Sequence, residues 1–183
     1  MMRAIVAPPA LSSAALTELK AWLGISRSAE DAELVTLLRT ALEICEGFTG
    51  AMPLQSGCEE TLPASGEWQR LSARPVRAIT ALAAIDLAGV RTSLAASDYE
   101  FDISAEGTGL VRLMKPIEQK RMAVTYSAGL SADWAELPDA IRHGLIRLSA
   151  HQHRARDDDR KVAPVPPSVV AALWRPWRRM RLS

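Results

Sequence analysis

The spacing of apolar residues changes twice along the chain and divides it into three parts. Up to about residue 51 apolar residues recur every three or four positions, as in "LTELKAWLGI", which predicts helices with one buried face. Over 52–129 they alternate with polar residues, which predicts half-buried strands. From about residue 130 the helical period returns. The fold class predicted by this pattern is α+β, in which an antiparallel β lobe is inserted into a helical body.

Two helices are predicted before the β lobe. The first ends at Gly24, and the second follows almost at once in "SRSAEDAELVTLLRTALEICEGFTG". Ser28 and Asp31 resemble a capping box with Asp in place of Glu, which places the start of this helix near Ser28. Gly47 and Gly50 are expected to end it.

The β lobe contains at least three alternating segments, "AITALAAI", "YEFDI" and "RMAVTYS". The stretches between them, such as "DLAG" and "SAEGTG", are short and rich in turn-forming residues. Neighbouring strands should therefore pair in antiparallel fashion through hairpins, because parallel pairing needs long crossover connections.

A third, long helix is predicted after Pro138, which is well placed at its first position, and should run to about Arg156. "RARDDDRKVAPVPP" interrupts the pattern, and a short helix begins at Ser168. Pro176 should end that helix near Trp174, because proline lacks a backbone donor and restricts the residue before it.

The resulting domain scheme has three parts. Residues 1–51 and 130–160 form the helical body, with the second and third helices side by side, and 52–129 form the inserted antiparallel β lobe. Residues 161–183 form a proline-rich linker and a C-terminal docking arm.

Composition is that of an ordinary globular protein. The 183 residues are 48% hydrophobic and 23% charged, and the net charge of +1 argues against wholesale binding of a polyanion.

The start "MMRAIVAPPALSSAAL" faintly resembles a secretory signal, but Pro8 and Pro9 interrupt its apolar part, so we expect a cytoplasmic, non-membrane protein. Cys45 and Cys58 are expected to be buried and reduced, with a disulfide as the alternative.

The histidines are the obvious candidates for a metal site. His151 and His153 would point about 200° apart on a helix, and His143 would lie about 12 Å from His151 along the axis, too far for one zinc ion. His153 and Asp157 could supply two ligands, but no others are evident. We therefore predict no metal and no cofactor.

Motifs for catalysis are equally incomplete. "SAGLS" lacks the outer glycines of a nucleophile elbow, and "GTG" has no phosphate-loop lysine and is typical of a hairpin turn. The acidic run 157–159 is flanked by basic residues and indicates solvated surface charge, with a magnesium site as the alternative. The sequence thus predicts no catalytic residues, and a hydrolase is the weakest hypothesis.

The carboxyl end carries the most unusual chemistry. From Trp174 onward it has two tryptophans, four arginines and no acid. It could fold back on its own body, bind nucleic acid, or dock on a partner protein, and docking is favoured because Trp and Arg are enriched at the energetic centres of protein interfaces. The candidate docking residues are Val169, Leu173, Trp174, Arg175, Trp177, Arg178, Arg179 and Arg181.

The order of these segments resembles the head-tail connector (adaptor) proteins of long-tailed bacteriophages and gene transfer agents. The shared pattern runs from "LTELKAWLGI" and "EICEGFTG" through "RPVRAITAL", "DYEFD" and "VTYSAGL" to "LPDAIRHGLIRLSAHQHRAR" and "VPPSVVAALWRPWRRMRL". Family members send their C-terminal segment, here 168–183, into the portal. Trp174 and Trp177 stand where relatives commonly have leucine and tyrosine.

The resemblance implies a structural, non-enzymatic virion protein. It implies a homo-oligomer, a dodecameric ring, between the portal protein and the tail-side neck (stopper) protein, with DNA passing through its channel without specific binding. The protein would reside in the particle neck, and in the bacterial cytoplasm during assembly. The alternative is a nucleic-acid-binding accessory protein that uses the basic Trp/Arg arm.

Overall fold

The computed structural model describes residues 2–155 and 165–178, and the chain divides into two compact units. One unit contains the chain up to Pro9 and Gln55–Gly129, and the other contains Ala10–Leu54 and the chain from Leu130 onward. The protein is thus a mixed α+β protein, as the apolar spacing predicts. Among the described residues, no helix combines the length and apolar character that crossing a membrane requires.

The first unit is built from eight strands in two antiparallel sheets. They are β1 (Met2–Ala7), β2 (Ser56–Pro63), β3 (Gln69–Arg70), β4 (Val76–Ile85), β5 (Arg91–Ser93), β6 (Tyr99–Ile103), β7 (Gly109–Leu113) and β8 (Arg121–Ala128). The larger sheet has the order β1-β2-β8-β4-β5 and the smaller one β3-β7-β6. Every pair of neighbouring strands is antiparallel, as predicted. Among the described strands, the expected hairpins form only between β4 and β5 and between β6 and β7, because β2 and β3, and likewise β7 and β8, lie in different sheets.

Strand β1 corrects the expectation that the helical body begins at residue 1. Its residues pair with β2, with Arg3 opposite Glu60 and Ile5 opposite Cys58, so this segment belongs to the sheet. "RAIVA" is too short to show a period, but its β-branched residues suit an edge strand. The pairing ends before Pro8 and Pro9, which have no backbone N–H to donate.

A buried carboxylate lies inside the β unit. Glu60 is 0% exposed, and its Oε2 accepts hydrogen bonds from the Tyr126 hydroxyl at 3.0 Å and from the backbone N and Oγ of Ser72, both at 2.9 Å. Burial, and next the charge of Glu60, raises the pKa of Tyr126 above its usual value, so the phenol stays a donor. This network ties the segment around Ser72 to the neighbouring strands β2 and β8.

The second unit is helical. Its helices are α1 (Ser13–Leu23), α2 (Asp31–Thr49), α3 (Asp139–Ala155) and α4 (Ser168–Trp174), with 3-10 turns at Trp134–Glu136 and Arg175–Trp177. α2 packs against α3, and α1 packs against both. The buried core takes its side chains from all four helices, including Leu19, Leu38, Leu145 and Trp174.

Helix α2 begins later and ends later than the capping pattern predicts. It starts at Asp31 after Glu30, with no side-chain cap hydrogen bond, so the expected capping box at Ser28 does not form. Gly47 lies inside the helix rather than at its end. Gly50 ends it because this residue adopts a left-handed conformation, with φ of 75°, that favours glycine.

The buried network predicts unequal effects at two adjacent glutamates of β2. Glu60→Ala removes the acceptor of the buried Tyr126 hydroxyl, so we expect the free energy of unfolding to fall by about 3 kcal/mol. The matched control is Glu59→Ala, because Glu59 pairs with the exposed Arg91 and its loss should cost no more than about 1 kcal/mol. Urea unfolding followed by circular dichroism measures both, and equal effects would contradict this role for Glu60.

Candidate functional site

The carboxyl-terminal helix α4 packs on its own helical unit. Val170 is 2% exposed and Trp174 is 0% exposed, and both belong to the core. The Trp174 ring lies 6.1 Å from that of Phe48, centroid to centroid, at an angle of 50°. Burial of a tryptophan removes about 150–250 Å² from water, so this residue contributes strongly to holding α4 in place.

A glycine of α3 makes room for the Trp174 indole. A Cβ placed on Gly144 would lie 2.1 Å from Trp174 Nε1, so any side chain larger than hydrogen would displace the ring. The same Nε1 donates a long hydrogen bond of 3.4 Å to the carbonyl oxygen of Ile141. The ring therefore sits directly against the α3 backbone, in a notch that only glycine provides.

The α-helix gives way to a 3-10 turn just beyond this anchor. α4 ends at Trp174 and the 3-10 turn Arg175–Trp177 follows, so the expectation that Pro176 ends the helix near Trp174 is confirmed. The backbone N of Arg178 donates to the carbonyl of Arg175 at 3.1 Å, and Arg178 itself is extended.

Trp174, one of the candidate docking residues, is buried within its own unit, as the alternative of folding back has it. The side chain fills its own core, because the Gly144 notch and the Phe48 ring offer it apolar surface within the same unit. Leu173 is partly buried against the same core. In this structure the candidate docking residues therefore divide into anchors, which hold α4, and residues that face outward.

The outward-facing set lies on α4 and the turn after it. Val169 is 52% exposed, Arg175 and Arg178 are exposed, and Trp177 is half-buried against the core. The Arg178 guanidinium lies 5.4 Å from the centre of the Phe48 ring, within cation–π range. Arg179 and Arg181 lie outside the described residues. The surface thus combines apolar area with cations, the chemistry of a protein-binding patch.

The three histidines occupy different environments on α3. His153 Nε2 lies 2.8 Å from Glu30 Oε2, His143 packs edge-on against Trp22 at 5.3 Å, and His151 is exposed. Within residues 2–155 and 165–178, no cluster of three metal-ligating side chains occurs. Asp157, the possible second ligand beside His153, lies outside the described residues, as does the rest of the acidic run 157–159.

The remaining sequence candidates have structural explanations. "GTG" forms the turn between β6 and β7, where Gly107 has φ of 73° and Thr108 N donates to Ser104 Oγ. Cys45 and Cys58 are free and buried, so the alternative of a disulfide is wrong. Burial raises the pKa of the Cys45 thiol to about 12, which leaves it unreactive at neutral pH.

Sequence reasoning missed two residues of this site, Gly144 and Phe48. Glycine destabilises the interior of a helix, so its presence in "RHGLIRL" could have indicated that a neighbouring group packs closely against the backbone there. Phe48 lies on the predicted apolar stripe of α2. Nothing in its spacing indicates that its ring also faces Trp174.

Comparison with known proteins gives matches only among solved structures. No protein-family model and no curated sequence matches the chain. A chain in the neck of an empty gene transfer agent particle, computed with C6 symmetry, is 27% identical with a TM-score of 0.79. A chain in the neck of a native particle, computed with C12 symmetry, is 27% identical with a TM-score of 0.75, and one in the virion of a native particle is 28% identical with a TM-score of 0.74.

These similarities extend over whole chains. Each covers 100% of this chain and 98% of the chain it matches. The protein is therefore similar over its entire length, in both the β unit and the helical unit, to proteins of gene transfer agent necks.

The Gly144 notch predicts opposite effects for alanine at two helical glycines. Gly144→Ala should displace Trp174 and lower the free energy of unfolding by about 2 kcal/mol or more. Gly47→Ala is the matched control, since a Cβ there meets nothing within 4 Å and should stabilise α2 by about 0.5–1 kcal/mol. Urea unfolding measures both, and a neutral Gly144→Ala would show that the indole does not need the notch.

Proposed function

We propose that the protein is a structural head-tail connector (adaptor) subunit in the neck of a phage-like or gene transfer agent particle, and not an enzyme. The observation that carries this proposal is the whole-length similarity to neck proteins at 27% identity and a TM-score of 0.79. A match that includes both units supports a shared role better than one that includes a single common fold.

The proposed assembly is a ring of twelve copies. Two of the similar structures are necks computed with C6 and C12 symmetry, which is consistent with a cyclic homo-oligomer. A ring requires heterologous contacts, in which one face of a subunit meets a different face of the next. The proposed neighbours along the axis are the portal protein on one side and a tail-side stopper protein on the other.

The proposed portal-docking surface is the outward-facing set beyond the α4 anchor. Val169 and the uncovered part of the half-buried Trp177 supply apolar area, and Arg175 and Arg178 are exposed cations that can pair with carboxylates. Arg179 and Arg181 extend the same chemistry in the sequence. Trp174 is a positioning residue in this proposal, because it holds α4 against α3 and so sets where the turn after it begins.

The overall charge fits a channel through which DNA moves. Each Lys or Arg contact to a phosphate adds salt-dependent affinity, and a strongly basic ring would retain the duplex. The net charge of this chain is only +1, and four of its arginines lie in the last nine residues. The proposed role for these arginines is contact with protein at the portal, outside the path of the DNA.

Truncation after the anchor tests the docking surface. A chain that ends at Trp174 keeps the buried indole, so we expect it to fold, whereas removal of α4 itself would expose the core. We expect this truncated chain to be absent from purified particles, because the residues that contact the portal are gone. Quantitative mass spectrometry of particles made with each variant measures incorporation.

Two full-length variants sharpen the same test. Trp177→Ala with Arg178→Ala should reduce incorporation, while Arg27→Ala, an exposed arginine elsewhere in the helical unit, should leave it unchanged. Normal incorporation of the truncated chain would contradict docking through this segment. Salt-dependent binding of the isolated full-length chain to duplex DNA, lost on truncation, would favour the nucleic-acid-binding alternative.

A further inference from the structure

The exposed side of α3 is a narrow stripe of basic and titratable side chains. His143, Arg147, His151 and Arg154 follow one another at spacings of four, four and three residues, so they lie within about 80° of arc on the helix. His143, His151 and Arg154 are exposed, and Arg147 is half-buried. We call these four residues the basic stripe. It is the main part of α3 that its own unit leaves uncovered.

An exposed tryptophan of α1 adjoins this stripe. Trp22 is 44% exposed, its ring meets that of His143 edge-on at 5.3 Å, and the Arg147 guanidinium lies 5.7 Å from the ring centre. Stacking on an aromatic ring orders the guanidinium while its outer N–H groups stay available. A half-exposed Trp beside an ordered Arg is the composition that dominates protein interfaces.

The cations of the stripe have no acidic partner within the described part of the chain. No ion pair joins Arg147, His151 or Arg154 to a carboxylate of residues 2–155 or 165–178, in contrast to the neighbouring Arg142, which pairs with Asp139 at 2.9 Å. Within those described residues, Arg147 and Arg154 therefore present positive charge that no carboxylate pairs with.

A complementary acidic surface lies before and at the amino end of the same helix. Asp133 and Glu136 in the 3-10 turn region are exposed, and the side chain of Asp139 is 92% exposed. We call these three residues the acidic turn. One end of the helical unit thus carries exposed carboxylates, while the stripe along the outer face of α3 carries cations.

A head-to-tail contact between copies would bring the basic stripe of one copy against the acidic turn of the next. A polyanion is a weaker occupant of the stripe, because two arginines and two histidines provide few of the phosphate contacts on which nucleic-acid affinity depends. A second copy of this chain instead brings the exposed carboxylates of Asp133 and Glu136, beside that of Asp139, which pairs with its own Arg142. A ring also needs contacts between unlike faces. Charge complementarity of this kind sets which faces meet.

We propose that the basic stripe and Trp22 of one copy bind the acidic turn of the next copy, forming a heterologous contact of the ring. This inference rests on the proposed connector function and adds the surfaces that join the subunits. Trp22 supplies apolar contact area, and Arg147 and Arg154 pair with Asp133 and Glu136 of the neighbouring copy.

Charge reversal in the full-length chain tests this pairing in assembled particles. Arg147→Glu with Arg154→Glu places like charges at the contact, so we expect the copies per particle to fall about tenfold or more. Asp133→Arg with Glu136→Arg should do the same. A chain carrying all four substitutions exchanges the charges across the contact and should regain incorporation to within about twofold of the original chain.

Two control measurements make the outcome decisive. Arg147→Lys with Arg154→Lys keeps the charge and should incorporate well, and circular dichroism checks that every variant is folded. Unchanged incorporation of either charge-reversed chain would overturn the contact. So would a loss of incorporation that persists in the chain with all four substitutions. Absence of the original chain from particle necks would instead overturn the connector function itself, so the two failures are distinguishable.

Discussion

The contact between the Trp174 indole and the α3 backbone at Gly144 is the constraint on which the functional surface depends. α4 has only seven residues and would be marginal as an isolated helix, so its position is set by what it buries. The indole fills a notch that a single methyl group would close. The segment after Trp174 therefore starts from a fixed point on the helical unit. A docking segment held in this way loses less conformational entropy when it binds a partner.

Helix α3 connects two roles that would otherwise be separate. Its inner face receives Trp174 at Gly144, and its outer face presents the basic stripe beside Trp22. In the proposed ring the same rigid helix positions the portal-docking segment and contacts the next copy. Because the packed core keeps α3 rigid, the docking segment and the contact with the next copy keep a fixed position relative to each other.

The sequence predicted the α+β class, the antiparallel strands and the end of α4 near Trp174, because period, turn residues and proline act locally. It missed strand β1, since six edge residues are too few to show a period, and the sheet partner that stabilises them lies some fifty residues away. It also left burial of Trp174 in its own unit as an alternative to docking, with docking favoured. A tryptophan beside arginines has the same composition whether its ring is buried or at an interface, and only the notch at Gly144 distinguishes the two. The anchor therefore required tertiary structure.

In the proposed connector, the carboxyl end is divided at Trp174 into an intramolecular anchor and an outward docking surface. An electron cryomicroscopy reconstruction of the particle neck, at a resolution that shows side chains, tests it most directly. We expect Trp174 to lie against Gly144 of its own subunit, and the exposed part of Trp177 and the arginines around it to contact the portal. A map in which the Trp174 ring inserts into the portal, or in which neither Trp177 nor these arginines contact the portal, would contradict this division.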